Sequence, residues 1–371
     1  MAIPMAPRLA ACAVIAALLG AGCSATSEIA SVEPGSAGVS RDVLLFNSAR
    51  DGVQQLYRMD LDGGNLLQLT REPGDNAWAA WSPDGGRIAF VSTRDRNPEI
   101  YVMKADGSDQ RRLSRNPGID MDPLWSPAGD RIAYTSQDDR GLGRIIVVGP
   151  DGSGARPVTD GTLGDELSPS WSPDGRTLAF AVRKGNSAEV WTAPASGGAP
   201  KRLTDTAKAA AEFPVWSPDG RRIAYLVRTR STSEIWSMNA DGSERKALTN
   251  SARGRNIAAS WSPDGRRILF ASDRVDGNRM NVYLMNADGS DVRNRSNSPH
   301  EDTHPVWSAD GRSVLFTRMQ GGNTLIFRVA ADGGAPAVVT ANGRYDEWPR
   351  ARPAPVPARV AAGSGGQRGG H

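Results

Sequence analysis

The feature that most constrains this chain is an internal repeat of about 45 residues. The string Trp-Ser-Pro-Asp-Gly, or a close variant of it, recurs at intervals of 44 to 46 residues. The copies begin at Trp81, Trp125, Trp171, Trp216, Trp261 and Trp307. A fixed period of this length indicates that one small structural unit is stacked against copies of itself, because a single unit cannot bury its own apolar face.

Each copy is followed by the same succession of short segments. After the first copy come the apolar run 88–90 (Ile-Ala-Phe), a polar loop, the segment 99–103 (Glu-Ile-Tyr-Val-Met) and the turn 105–107 (Ala-Asp-Gly). A last short strand ends near a Leu-Thr pair in later copies, such as 203–204. In the turn 82–85 (Ser-Pro-Asp-Gly), Pro presets φ and Gly takes the left-handed position that closes the hairpin, and the Asp-Gly pair at 106–107 does the same for the next hairpin. Four short strands per period predict one blade of a β-propeller.

The predicted fold class is therefore all-β, a β-propeller of four-stranded blades over residues 42–353. Part of the repeat, 43–70, precedes the first Trp copy, so we expect seven blades, with six as the alternative if one unit is irregular. The segment 346–353 aligns with 120–127 and has Ala351 in the Trp position. We expect this C-terminal strand to complete the first blade and to close the ring, which removes open sheet edges.

The N-terminus has the features of a secretory signal. Arg8 is the only charged residue among the first 22, and the apolar run 9–20 has signal-peptide length and is too short to span a bilayer. The run leads into Gly20-Ala21-Gly22-Cys23, which resembles the lipobox of bacterial lipoproteins. We therefore expect residues 1–22 to be removed and a lipid to be attached to Cys23. Ordinary cleavage without a lipid is the alternative.

Two further segments are expected outside the propeller. Residues 23–41 are small, polar and aperiodic, which predicts a lipidated, flexible tether, and 354–371 are Pro-rich and then Gly-rich, which predicts a disordered tail. Only Cys12 and Cys23 are present, so we expect no disulfide. The predicted location is exported and membrane-anchored, facing the periplasm or the cell exterior.

The charge balance argues against nucleic acid as a partner. The 44 basic and 41 acidic residues give a formal net charge of +3, and no block of five basic residues occurs. Nucleic-acid binding needs concentrated Lys and Arg to displace counterions. We expect a monomer that binds no nucleic acid and needs no cofactor.

The repeat resembles the TolB-type propeller repeat in its Trp-Ser-Pro-Asp-Gly string, the following Ile-Ala-Phe run, the Ile-Tyr-x-Met strand and the Asp-Gly-Ser turn. The resemblance covers 43–353 and is specific, because the Trp copies keep register. It implies a periplasmic protein whose propeller binds other envelope proteins, as TolB binds the Pal lipoprotein. The chain departs from TolB because it has no room for the N-terminal α/β domain and carries its own lipidation motif. The same repeat also forms the propeller of prolyl-oligopeptidase-type peptidases, whose hydrolase domain has no counterpart here.

A binding site is predicted at the mouth of the central channel. The strand before each Trp is innermost in such blades, so its first residues should surround the channel. The predicted residues are Asn76, Trp78, Asp120, Asp122, Glu166, Glu212, Asn256, Asp302, His304, Asp346 and Trp348. An acidic and amide ring with aromatic neighbours suits a cation, a basic peptide or a sugar. The alternative is that these polar side chains only cap turns and accept backbone N–H groups at the start of each strand.

Two functional classes remain open at this point. The first is a non-catalytic envelope lipoprotein that binds a protein or peptide through the loop face and the acidic channel mouth. The second is a lone-propeller enzyme, a glycan lyase or hydrolase, with its site in the channel. The chain has three histidines and lacks G-x-S-x-G, H-E-x-x-H and phosphate-binding Gly loops, so we predict no catalytic residue and no metal site. His304 is the base that an enzyme would have to use.

Overall fold

The computed structural model describes residues 43–353, with gaps at 207–208, 252–253, 276 and 342. The regular elements in these ranges are β-strands, and they form an all-β propeller, which confirms this level of the prediction. No helix in the described ranges is long and apolar enough to cross a membrane.

Three of the four-stranded sheets come from the first part of the chain, together with its last strand. Sheet 1 contains, in spatial order, β28 (Asp346–Ala351), β1 (Val43–Ser48), β2 (Gln55–Asp60) and β3 (Leu67–Gln68). Sheet 2 contains β4 (Asn76–Trp81), β5 (Arg87–Ser92), β6 (Glu99–Lys104) and β7 (Arg111–Arg112). Sheet 3 contains β8 (Asp120–Trp125), β9 (Ile132–Gln137), β10 (Gly143–Val148) and β11 (Arg156–Pro157).

The later strands form one large sheet and two further four-stranded sheets. Sheet 4 contains β12 (Asp165–Trp171), β13 (Thr177–Lys184), β14 (Ser187–Pro194), β15 (Lys201–Arg202), β16 (Ala210–Trp216), β17 (Arg222–Arg228), β18 (Ser233–Asn239) and β19 (Lys246–Ala247). Sheet 5 contains β20 (Asn256–Trp261), β21 (Arg267–Ser272), β22 (Asn281–Asn286) and β23 (Arg293–Asn294). Sheet 6 contains β24 (Glu301–Trp307), β25 (Ser313–Gln320), β26 (Asn323–Ala330) and β27 (Ala337–Val338).

The predicted blade count, seven or alternatively six separate four-stranded blades, is wrong. Five sheets have four strands each, and the eight strands β12–β19 belong to one continuous sheet. The join is a parallel pairing of Ala188 in β14 with Ala210 in β16. Both alanines are 1% exposed. This single parallel pair makes the two repeat units one sheet.

The two ends of the described region lie in sheet 1. Strand β28 pairs antiparallel with β1, with Ala351 opposite Leu44 and Asp346 opposite Ser48. One strand of each repeat unit also contacts the corresponding strands of its neighbours, and we call these the inner strands: β4, β8, β12, β16, β20, β24 and β28. Contacts run along this series and from β28 to β4, so the inner strands surround a common axis.

The turn after each repeat Trp is built by the residues that define the motif. The Ser82 hydroxyl accepts the N–H of Arg87 at 2.8 Å and donates to the Asp84 carboxylate at 2.5 Å. The hydrogen bond from Ser82 and that from the Gly86 N–H lower the pKa of Asp84. Gly85 has a φ of +64°, a value that favours glycine. These contacts explain why Ser, Asp and Gly recur at fixed spacing.

The repeat tryptophans pack between neighbouring units. Trp171 is 6% exposed, and its indole N–H donates to the carbonyl of Leu124 in the preceding inner strand at 3.1 Å. The Arg131 guanidinium lies 5.1 Å from the centre of the Trp171 ring and donates to the carbonyl of Gly175 at 3.0 Å. Burial, a hydrogen bond and a cation–π contact therefore hold adjacent units together at the same residue.

Trp216 is the exception in this series. It is half-buried, and its indole nitrogen has no hydrogen-bond partner among the described residues. The repeat position that Arg131 occupies before Trp171 is occupied by Thr177 before Trp216. Trp216 therefore lacks the guanidinium that stacks on Trp171.

We expect Trp171→Ala to lower the free energy of unfolding by about 3–5 kcal/mol, the usual loss for a large buried aromatic side chain. Trp216→Ala should cost at least about 1 kcal/mol less, because it removes a buried N–H that is unsatisfied in the folded chain. Chemical denaturation of both variants measures the difference. Equal losses would contradict this account of the packing.

Candidate functional site

The predicted site residues fall into two sets that the structure treats differently. The first set, which we call the entrance residues, stands at or near the start of the inner strands: Asn76, Asp120, Glu166, Glu212, Asn256, Asp302 and Asp346. Each is at most 4% exposed. They are therefore part of the protein interior.

Most of the entrance residues are held by an arginine near the end of the adjacent strand. Arg318 Nε donates to Asp302 Oδ1 at 2.7 Å, and Arg50 Nη2 donates to Asp346 Oδ1 at 3.1 Å. The corresponding contacts to Asn76, Glu212 and Asn256 come from Arg94, Arg228 and Arg274. A buried carboxylate paired with a guanidinium is compensated, so these groups contribute little free negative charge to a ligand.

Two entrance residues are held by uncharged groups. Both Asp120 oxygens accept from the Asn116 amide, at 2.8 and 2.7 Å. Glu166 accepts from the Thr159 hydroxyl and from the N–H of Ile145. Burial raises the pKa of Glu166. These contacts are those of the alternative interpretation, in which the polar residues stabilise the strand starts.

The second set, which we call the bulge residues, lies two positions farther along the inner strands, or one position beyond Glu212 in β16. It comprises the predicted Trp78, Asp122, His304 and Trp348 and the residues at the same position of the other inner strands, Ser168, Phe213 and Ala258. Each has a φ between +50° and +56°. The pairing register shifts around these positions, as between Met121 and Leu124. A left-handed non-glycine residue costs on the order of 1 kcal/mol, so its recurrence at every inner strand marks a built feature of the fold.

The bulge residues bring aromatic and titratable groups together inside the ring of inner strands. The His304 and Trp348 rings are 3.8 Å apart between centroids and tilted by 31°. Arg350, on the same strand as Trp348, affects the pKa of Asp122 on β8, although β4 lies between the two strands. An interaction between strands that are not neighbours must cross the interior of the ring.

The pKa values of these groups reflect their position inside the ring of inner strands, where all three side chains are half-buried. Burial raises the pKa of Asp122 to about 6, and Arg350 opposes this shift. Burial lowers the pKa of His304 to about 4, and Arg350 adds to this shift, so the imidazole is neutral at pH 7. Burial also lowers the pKa of Arg350, against the effect of Asp122. No described residue donates a hydrogen bond to the Asp122 carboxylate or forms an ion pair with it within 4.0 Å.

Asp122→Asn should raise the free energy of unfolding at pH 8 by about 1–2 kcal/mol. The pKa of Asp122 is about 6 in the folded chain, against an ordinary value of 3.8, so the folded chain binds more protons between these values. The wild-type chain therefore gains stability as the pH falls from 6 towards 4, and the variant does not. Urea melts at pH 8 and pH 4.5 measure both effects. A destabilised variant at pH 8, or a pH-independent difference, would contradict the account.

Sequence reasoning missed Arg350. The position before the Trp is small or apolar in the other inner strands: Ala80, Leu124, Ser170, Val215, Ser260 and Val306. A guanidinium at this position in β28 was visible as a departure from the pattern, but only the three-dimensional arrangement shows that its charge affects the pKa of Asp122 and of His304. In the described part of the chain, no group of three or more His, Cys, Asp or Glu residues is placed to hold a metal ion.

Comparison with known proteins gives a consistent family assignment. The profile of the TolB beta propeller domain matches residues 68–248 and 210–355. A protein TolB homolog of Chlorobium luteolum is 34% identical over 144 residues, which are 38% of this chain and 32% of that protein. The Tol-Pal system protein TolB of Bordetella pertussis is 39% identical over 54 residues, which are 14% of this chain and 12% of that protein. The chain thus matches about a third of the first relative's length and less of the second.

Solved structures resemble the fold at low sequence identity. TolB from Acinetobacter baumannii has a TM-score of 0.55 and 19% identity, over 84% of this chain and 67% of that chain. An oligogalacturonate lyase from Vibrio parahaemolyticus has a TM-score of 0.61 and 14% identity, over 81% of this chain and 86% of that chain. Because a TolB protein and a lyase share this architecture, the likeness establishes the fold and leaves the activity open.

Proposed function

Because the chain belongs to the TolB beta propeller domain family, we propose that it is a non-catalytic binding module of the cell envelope. The observation that carries the proposal is the arrangement of the bulge residues. They bring the His304 and Trp348 rings to 3.8 Å of each other inside the ring of inner strands, and Asp122 on β8 has no described hydrogen-bond donor to its carboxylate. Aromatic side chains beside a small number of placed polar groups are typical of binding sites.

The expected partner is a protein or peptide segment with a basic side chain next to an apolar one. The cation would bind Asp122, whose pKa would then fall from about 6, so binding releases a proton near neutral pH. The apolar group would pack on Trp348, Trp78 or the 38%-exposed Phe213. We therefore place the contact surface on the bulge residues and not on the entrance residues, because the entrance residues are already paired within the chain.

We also propose the envelope location that the sequence predicted. The curated relatives include proteins named as Tol-Pal system components, which supports a protein partner in the envelope. The signal peptide (1–22), the lipidated Cys23 with its tether (23–41) and the tail (354–371) lie outside the described residues and remain proposals. The propeller, as a monomer, would then be held near the membrane by a lipid on Cys23.

The test is a cross-linking capture from membranes with the full chain as bait. Asp122→Asn should reduce recovery of the partner at least tenfold, because it removes the charge that the basic side chain needs. The variant is expected to be at least as stable as wild type at pH 8, so unfolding cannot account for the loss. Asp139→Asn is the matched control, because Asp139 is exposed outside the inner strands. Identical captured proteins from both variants would refute the proposed site.

A further inference from the structure

In every repeat unit but one, an aromatic residue on the second strand lies opposite an aromatic residue on the third strand. The pairs are Phe46–Tyr57, Phe90–Tyr101, Phe180–Trp191, Tyr225–Trp236, Phe270–Tyr283 and Phe316–Phe327. In sheet 3 the pair is Tyr134 with Ile146. Among the pairs in the described strands, this one alone has an aliphatic residue on the third strand.

Sheet 3 also lacks a second group that fills the equivalent space elsewhere. In four sheets a guanidinium lies over the third-strand ring, at 4.4 to 4.8 Å from its centre: Arg50, Arg94, Arg274 and Arg318. Each of these arginines also binds an entrance residue. After Tyr134 the chain runs Thr-Ser-Gln-Asp-Asp, and Asn116 binds Asp120 instead. Sheet 3 therefore lacks both the aromatic ring on its third strand and the guanidinium that lies over that ring in four other sheets.

A groove of about 530 Å³ lies at this place, between the segment that follows β7 and the face of sheet 3. Tyr134 and Ile146 form part of its wall, and Ser136 and Asn116 add polar groups. Its volume is within the range of small-ligand sites, about 300–1,000 Å³. The other repeat units have an aromatic side chain at the position of Ile146.

The charged residues of the groove favour an anionic group beside the ring. Arg112, Arg115 and Arg156 line it, together with Asp151. Arg112 is paired with Asp95 and Glu99. Arg156 donates to the carbonyl of Ala195 through Nη2, whereas its Nη1 is buried and has no acceptor among the described residues. This nitrogen has no accessible surface and lies beside Gly197, so it cannot bind a ligand in the groove. The accessible positive charge comes from Arg115, which is exposed and has no ion-pair partner within 4.0 Å among the described residues.

We propose that this groove binds an aromatic ring that carries a carboxylate. The ring would pack on Tyr134, as Tyr101 pairs with Phe90 in sheet 2, and the carboxylate would accept from Arg115. The occupant is not another segment of this chain, because residues 1–42 and 354–371 contain no Phe, Tyr or Trp. The groove does not include the bulge residues, so its test does not depend on the proposed function.

Ligand-observed NMR with the full chain tests the chemistry directly. The probes are 4-hydroxyphenylacetate and the blocked peptide acetyl-Glu-Tyr-Glu-amide, with tyramine as a control that has the same ring and the opposite charge. Binding of the free acid supports a small-molecule ligand, and binding of the peptide alone supports an acidic segment of a partner protein. If neither probe binds, or if tyramine binds as well as the acid, the proposal is overturned.

Two variants locate the binding. Ile146→Tyr restores the aromatic pair and fills the groove, so it should weaken binding more than tenfold while thermal melts show a folded chain. Arg115→Gln should weaken binding at least threefold, whereas Arg71→Gln, the equivalent position in the adjacent groove, should have no effect. Unchanged affinity in Ile146→Tyr would overturn the assignment. If that variant fails to fold, equal affinities of the two glutamine variants would do so.

Discussion

A chain that ends at residue 343 is expected to lose its stable, soluble fold, because it lacks β28. This strand supplies the partner of β1 in sheet 1, and Asp346 supplies the buried acceptor for Arg50. The carbonyl of Arg350 also accepts the indole N–H of Trp81 at 3.3 Å. We expect a loss of about 5 kcal/mol or more, which is comparable to the whole stability of many domains. The unpaired edge of β1 should then promote aggregation.

The matched control is a chain that ends at residue 353, which retains β28. Its denaturation midpoint should equal that of the full chain, and it should remain soluble at the same concentration. Size-exclusion chromatography and chemical denaturation of the two truncated chains measure both properties. Equal behaviour of the two would show that β28 contributes little to the fold.

Cys23→Ser is expected to move the protein from the membrane fraction to the soluble fraction almost completely. The expectation rests on the motif Gly20-Ala21-Gly22-Cys23, in which the thiol accepts the lipid. Acyl chains contribute about 0.8 kcal/mol for each buried CH₂ group, so their loss should abolish stable anchoring. Cell fractionation with immunodetection measures the shift.

The fold of the Cys23→Ser protein should be unaffected, because Cys23 precedes the propeller. Its thermal melt should therefore match that of the wild-type chain after detergent extraction. Cys12→Ser is the control, because Cys12 lies within the stretch that should be removed with the signal. A Cys23→Ser chain that still sediments with membranes would refute the lipid anchor.

The repeat made the strands predictable, because the turn residues and apolar runs are local signals. Ser82, Asp84 and Gly85 fold their own turn, so their recurrence indicates its position without tertiary information. The continuity of sheet 4 was not predictable in this way. It depends on the approach of Ala188 to Ala210, and alanine is common enough in this chain that neither residue stands out.

The candidate site was predictable in location and only partly in detail. The sequence placed both acids and arginines near one end of the inner strands, yet it did not show that Arg50 and Arg318 neutralise Asp346 and Asp302. Such pairs join distant residues, so only the assembled fold brings them together. The left-handed conformation of Trp78 and the other bulge residues was also not predictable, because none of these positions is a glycine.

Departures from the repeat were the signals that sequence reasoning used least. Arg350 departs from a run of small and apolar residues at its position, and Ile146 departs from a run of aromatic residues. Each departure coincides with a feature that the regular positions lack. In a repeat protein, the residue that breaks the pattern is therefore informative about function, because packing explains the residues that keep it.

The most direct test of the account is site-specific photo-cross-linking from the bulge residues. Benzoylphenylalanine in place of Phe213, which is 38% exposed, should yield a partner adduct in intact cells, and the adduct should disappear when Asp122→Asn is added. The control position is Val338, which is 42% exposed on the outermost strand of sheet 6. We expect adducts from position 213 and none from position 338. Adducts from 338 alone, or equal adducts that persist with Asp122→Asn, would contradict the claim that partners bind at the bulge residues.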